Sequence, residues 1–226
     1  MDIVNEPLTK NKQASYINPK DTKKYLFIKR FLDITLSLIG IIVLLPVFLI
    51  VAVFYSFGKN KGPVFFKQQR VGLRGDIFYI YKFRSMIVDA EAVLKSNKKL
   101  YEKYVKNSYK LHPEEDPRIT KMGNFLRKTS LDELPQLFNV FKGEMSLVGP
   151  RPVVKEELKE YEPHVNEFLS VKPGVTGYWQ ICGRSDVNYP ERAHLELHYI
   201  NNKSLVFDTE IIFKTLLLVI TRKGAY

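Results

Sequence analysis

The run Ile34–Phe57, ITLSLIGIIVLLPVFLIVAVFYSF, holds twenty-four residues without a charge and decides what kind of fold the chain can adopt. As a helix it would extend roughly 36 Å at 1.5 Å per residue, against a hydrocarbon core of about 30 Å. It is too long for the apolar part of a signal peptide, and no small-residue cleavage site follows it. Residues 25–58 therefore read as a membrane segment. Pro46 interrupts the run, where it removes a backbone hydrogen bond at a cost of about 3 kcal/mol in a regular helix. The flanking charges set no orientation, because Lys20, Lys23, Lys24, Lys29 and Arg30 precede the run while Lys59, Lys61, Lys67 and Arg70 follow it. A spanning helix gathers its basic residues on the cytoplasmic side. Two topologies fit: a spanning helix that tolerates its proline, or a re-entrant helix that breaks at Pro46 and returns to the face it entered. Locally the first is the commoner arrangement.

Outward from this segment the chain divides simply. Residues 1–24 are polar without a hydrophobic period and read as an arm. Residues 59–226 have the length of one domain. In it, Pro63–Arg70 and Ile77–Arg84 read as strands around the turn Gly72–Asp76. Alternation puts Lys82 and Arg84 on one face of the second strand, either to clamp a diphosphate or to lie in solvent as edge-strand cations. Residues 86–110 favour a surface helix or helical pair, and Asp116-Pro117-Arg118 marks a turn. Leu134, Leu137, Phe138 and Phe141 keep helical spacing, and Lys142-Gly143 ends that helix. Near the C-terminus, Ile211–Ile220 forms a broad apolar face edged by Lys214, Arg222 and Lys223. Such a helix lies in the membrane interface or packs on the domain's own core. Helices with one short hairpin give an α+β domain.

The chain carries 35 Lys and Arg against 24 Asp and Glu, a formal net charge of +11, which calls for an anionic partner. Nucleic acid is the first partner suggested by charge alone, and the membrane segment argues against it. A lone cysteine, Cys182, excludes an internal disulfide and a cysteine zinc site.

Chemistry concentrates in Arg127-Lys128-Thr129-Ser130-Leu131-Asp132-Glu133-Leu134-Pro135-Gln136-Leu137. Hard carboxylate oxygens suit Mg²⁺, and guanidinium forks suit phosphate. Ser130 and Glu133 have capping-box spacing, while Pro135 favours a start nearer Asp132; either start puts Asp132 and Glu133 in a first helical turn, where the dipole keeps a carboxylate ionised. An ionised aspartate can bind metal or attack phosphorus, although acidic residues at helix starts are usually only dipole partners. Arg118, Arg127 and Lys128 lie close in sequence. Arg151 is held between Pro150 and Pro152, whose fixed φ angles limit the entropy its turn can lose. Gly149 permits close backbone approach, and Pro173–Gln180 with Gly183-Arg184 either cradles a nucleotide or makes two tight turns. His194 and His198 stand i, i+4 with no companion ligand, so they read as a helix surface.

These residues together resemble the monotopic phosphoglycosyl transferases, bacterial sugar transferases that start lipid-linked glycan assembly. The matching stretches are Lys29–Asp33, Tyr81–Met86, Asp116–Thr120, Arg127–Leu137, Gly143–Pro152, Lys172–Arg184 and Lys223–Tyr226, covering nearly everything from about residue 25 onward. The resemblance implies a re-entrant helix broken at Pro46, interfacial helices and a catalytic domain on the cytoplasmic face of the bacterial plasma membrane. It implies a Mg²⁺-dependent dyad of Asp132 and Glu133, with Asp132 as metal ligand and as nucleophile on the β-phosphate of a UDP-sugar of glucose or galactose type. UMP leaves, and the phosphosugar passes to undecaprenyl phosphate for capsule or exopolysaccharide assembly. Lys82, Arg84, Arg118, Arg127, Arg151, Gln180 and Arg184 are the expected substrate-binding residues. Expected partners are the two substrates, membrane lipids and downstream glycosyltransferases, with no nucleic acid. Leu45, Glu144 and Lys203 depart from the Ser, Asp and Trp that many members carry, and none of them touches the dyad. A membrane-anchored nucleic-acid binder and a purely structural scaffold are the rival expectations; neither explains Asp132-Glu133 or the proline-clamped Arg151.

Overall fold

Helix α1, Lys23–Ser56, organises the molecule. The computed structural model describes residues 21–57, 61–107, 111, 114–183 and 187–221. Most of the N-terminal arm, the segment around Lys59, Arg184 and the stretch from Arg222 to Tyr226 lie outside the described residues. Thr22 caps α1 by accepting from the Tyr25 N–H at 3.2 Å. The helix does not end at Pro46 but continues to Ser56. Phe48, Val51 and Tyr55, with Leu44 and Val47 beside them, pack against Phe83, Leu126 and Phe138. At about 1.5–3 kcal/mol for each large apolar side chain buried, that packing exceeds the roughly 3 kcal/mol the proline costs.

The whole length of α1 is fastened to one domain. Near its start Tyr25 and Lys29 donate to Asp208 Oδ2 at 3.0 and 2.7 Å, and Arg30 donates to the carbonyls of Val140 and Phe141 at 2.7 and 2.9 Å. Asp33 Oδ1 accepts from Ser146 Oγ and the Leu147 N–H. Near its end Tyr55 donates to the Arg84 carbonyl, and the Arg84 guanidinium lies 4.7 Å from the Tyr55 ring centroid. The opposite face is bare: Phe27, Phe31, Ile42, Val43, Leu49, Ile50 and Phe54 are exposed. Only 17% of the most apolar window is buried, whereas a core helix of a soluble protein would be mostly covered. The helix is long and apolar enough to enter a membrane.

The expected hairpin forms from β1, Phe65–Val71, and β2, Ile77–Phe83, antiparallel with Phe66 opposite Lys82 and Arg70 opposite Phe78. Helices α2, Ala90–Ser96, and α3, Lys98–Lys106, are the expected helical pair. Next come α4, Lys121–Lys128, and α5, Gln136–Lys142, which ends at Gly143 in the left-handed region, φ 92°. Strand β3, Ser146–Val148, pairs in parallel with β4, Gly174–Thr176, across the short helix α6, Val165–Phe168. Helices α7, Tyr178–Cys182, α8, Glu191–Asn202, and α9, Leu205–Thr221, complete the order. The last helix packs on the domain's own core through Ile211, beside Tyr199 and Ile200, while Phe213, Leu216 and Leu217 are exposed on its other side. Lys203 is buried and ion-paired to Asp21 at 2.6 Å, so it anchors the chain ahead of α1.

Candidate active site

The dyad sits in a single 3-10 turn, Leu131–Glu133, and not in the first turn of an α-helix. Ser130 adopts the left-handed region, φ 57°, and its side chain makes no cap, so the anticipated capping box is absent. Left-handed Ser130 separates α4 from this turn, and the turn packs against β2. The strand's inner face presents Lys82, whose Nζ lies 2.6 Å from Glu133 Oε1.

The two carboxyls have opposite electrostatics. Asp132 is only 9% exposed, and among the described residues no other residue hydrogen-bonds its carboxylate. Burial, then the neighbouring Glu133, push its pKa up to about 6, against the pull of Lys82 and Arg127. Burial also raises Glu133, but Lys82, Arg151 and the hydrogen bonds from Lys82 and Gln136 outweigh it and hold that carboxyl below its usual value. The expected first turn of an α-helix is absent at the dyad, so cations in place of a helix dipole favour the charge on Glu133, while Asp132 binds its proton more tightly than an ordinary carboxyl.

The arginines divide into two groups. Arg127, Arg151 and Gln180 line one groove with Lys82, Asp132 and Glu133. Arg127 Nε donates to Ser85 Oγ at 2.9 Å. Arg151 lies 5.8 Å from the Trp179 ring centroid, and its backbone N–H donates to Glu196 Oε1. Its turn is bolted from behind, since Gly149 N–H donates to Thr176 O and Gly174 N–H to Pro150 O. A Cβ on Gly174 would come within 2.1 Å of Gly149 N, and one on Gly177 within 2.3 Å of Gly149 O. The Gly-rich stretch thus closes backbone on backbone behind the Arg151 turn. Arg84 and Arg118 are committed elsewhere. Arg84 donates to the carbonyl of Pro63 at 2.8 Å while stacking on Tyr55, and Arg118 makes a two-pronged pair with Asp116, both bonds 2.7 Å. Both residues also line the groove, but their forks are occupied by protein. Arg184 lies outside the described residues. His194 and His198 are exposed on α8, and His198 stacks on Tyr178.

The groove encloses about 2520 Å³, well above the roughly 300–1,000 Å³ of a single small-ligand pocket. Its lining passes from the dyad to exposed Phe65, Phe66 and Leu216, so a charged floor meets an apolar rim. A cavity of this kind can hold an anionic head and a greasy tail at once. Residues 24–222 match the family described as bacterial sugar transferase. The chain belongs to that family.

Among similar bacterial sugar transferases is the undecaprenyl-phosphate galactose phosphotransferase of Salmonella typhimurium, 46% identical over 203 residues, covering 88% of this chain and 42% of that protein. The exopolysaccharide production protein ExoY of Sinorhizobium fredii is 43% identical over 202 residues, 88% of each chain. The UDP-glucose:undecaprenyl-phosphate glucose-1-phosphate transferase of Escherichia coli is 38% identical over 207 residues, 88% of this chain and 41% of that protein. The chain thus spans less than half the length of some relatives and most of another.

Two inward residues of α8 escaped the sequence reading. Arg192 and Glu196 are buried at i, i+4, and Glu196 joins the Arg151 backbone to Arg192 and Tyr161. Charged residues at that spacing amid Ala193, Tyr199 and Ile200 were the available signal.

Proposed function

We propose that the protein transfers a sugar-1-phosphate from a UDP-sugar of glucose or galactose type to undecaprenyl phosphate, the acceptor that the names of its relatives carry. The observation that carries this is Asp132: a buried carboxylate that, among the described residues, no other residue hydrogen-bonds, beside a Glu133 held ionised by Lys82, on the floor of a cation-lined groove with an apolar rim. Asp132 oxygen attacks the β-phosphorus, the bond from that phosphorus to the bridging oxygen breaks, and UMP departs with its electron pair. An oxygen of undecaprenyl phosphate then attacks the same phosphorus, the aspartyl–phosphorus bond breaks, and Asp132 is restored. The low solvation of Asp132 keeps its lone pairs available as a nucleophile. Lys82, Arg127 and Arg151 offset phosphate charge, and the rigid Pro150–Pro152 turn spares reorganisation as the reaction proceeds.

The donor set also fits Mg²⁺, which commonly takes one or two carboxylates together with substrate phosphate oxygens. Asp132, whose carboxylate no other described residue hydrogen-bonds, would hold it, with Glu133 beside it. When bound, the ion would neutralise diphosphate charge.

The apolar face of α1 and the exposed face of α9 support insertion into a membrane leaflet, which we place at the cytoplasmic face of the plasma membrane, where the UDP-sugar donor of this reading would be met. Bonds from both ends of α1 to the same domain favour a helix that leaves on the side it entered. Purified protein with a panel of UDP-sugars should release UMP for one sugar, and more in the presence of undecaprenyl phosphate. Absence of UMP with every UDP-sugar would refute the assignment.

A further inference from the structure

The strand register puts a further cation at the dyad. Arg70 stands opposite Phe78, so its side chain leaves the hairpin on the face that carries Gln68, Ile80 and Lys82. Arg70, Lys82, Glu133, Gln136, Arg151 and Gln180 line one small recess of the groove. Three cations therefore share this recess with Glu133, whose charge is already matched by Lys82 at 2.6 Å.

Arg70 is poorly provided for by the protein itself. Its side chain is 10% exposed, yet its carboxylate partner, Glu157 Oε1, is 3.4 Å away at the limit of a hydrogen bond. Glu157 is shared, since it also accepts from the Val154 N–H and the Tyr189 hydroxyl. The shortest bond from Arg70 is to a neutral acceptor, Gln68 Oε1, at 2.6 Å. Among the described residues its buried Nε has no hydrogen-bond partner. Burial, then the like charge of Arg151, lower its pKa to about 10. Buried donors are nearly always paired, so a guanidinium kept in this position points to a missing acceptor with negative charge to spare.

We propose that Arg70 is a substrate-binding residue that donates, through Nε–H, to a phosphate oxygen of the nucleotide diphosphate held between Lys82 and Arg151. This rests on the donor being a UDP-sugar. The diphosphate supplies the charge that three converging cations lack, and it converts the Arg70–Arg151 repulsion into a shared clamp.

The test is calorimetric titration of UDP into the full chain in detergent micelles. Arg70→Met should weaken UDP binding about 10- to 100-fold, the range for one charge-assisted hydrogen bond. Glu157→Gln should bind UDP as tightly as the wild type or more so, since it removes the competing negative charge while keeping an acceptor oxygen. If Arg70 served Glu157 alone, the two variants would lose affinity together; that result, or unchanged affinity in folded Arg70→Met, overturns the assignment. Arg70→Lys covers the case in which the Met chain does not fold: it keeps the charge but lacks the Nε donor, and should bind UDP several-fold more weakly. Wild-type affinity in the lysine variant overturns the assignment too. A wild-type protein that binds no UDP fails the donor assignment itself, and the Arg70 role with it.

Discussion

Replacing Asp132 by Asn should abolish turnover and, at neutral pH, make the protein more stable. The amide keeps the shape of the carboxyl but has no charge to bury and cannot form an acyl phosphate. Raising the pKa from 3.8 to about 6 on folding means the native state holds a proton that the unfolded chain releases. The associated stability is fully present below the unfolded value and is lost as pH rises through about 6. Above that, the wild type carries a penalty of up to about 3 kcal/mol, at 1.36 kcal/mol per tenfold change in proton affinity. Asp132→Asn lacks it, so its advantage should be about 0.5 kcal/mol at pH 4 and approach that limit at pH 7.5. For a chain of this length this is up to about 6–12 °C in Tm. Thermal melts in detergent and chelator at the two pH values measure it. An advantage equal at both values, or an Asn variant less stable at pH 7.5, would refute the placement of a buried, unneutralised Asp132. Adding Mg²⁺ should stabilise the wild type more than the variant.

Other predictions follow from the same geometry. Activity should fall on the acid side with an apparent pKa near 6 as Asp132 is protonated; Lys82→Met should move that limb upward, because Lys82 lowers both carboxyls, and an unmoved pH profile contradicts the pairing. Arg151→Ala should lose about 10- to 100-fold in kcat/KM, from roughly 1.5–3 kcal/mol per charged hydrogen bond, with Arg151→Lys restoring only part; full activity in the alanine variant makes the turn merely structural. Tags at the N-terminus and after Tyr226 should both be protected in intact cells and exposed after lysis. A periplasmic N-terminus would contradict a helix whose two ends are bonded to one domain.

Local patterns were legible in the sequence where neighbours decide the structure. Alternation gave the β1–β2 hairpin within a residue or two, Gly143 ended α5, and Ile34–Phe57 announced an apolar helix. The adjacency of Asp132 and Glu133 marked the site. What failed depended on partners distant in the chain or on backbone conformation. Ser130 looks like a cap, but its left-handed φ replaces a helix start with a 3-10 turn. Arg84 alternates in phase with Lys82, yet Pro63 and Tyr55 claim its guanidinium. The mutual closure of Gly149, Gly174 and Gly177 was not legible, because sequence does not reveal that β3 and β4 bring their backbones together. Arg70 shares the parity that singled out Lys82 once the hairpin is paired, but its partner Glu157 is 87 residues away.

The central claim is that Asp132 carries the phosphosugar. The direct measurement is intact-protein and peptide mass spectrometry after brief incubation with the UDP-sugar substrate, Mg²⁺ and no undecaprenyl phosphate. The predicted result is a mass increase of one hexose phosphate on the peptide containing Asp132, matched by one equivalent of UMP and discharged when undecaprenyl phosphate is added. The adduct should be absent from Asp132→Asn. Turnover by the wild type with no adduct under any quench, or an adduct that persists in Asp132→Asn, would contradict the account.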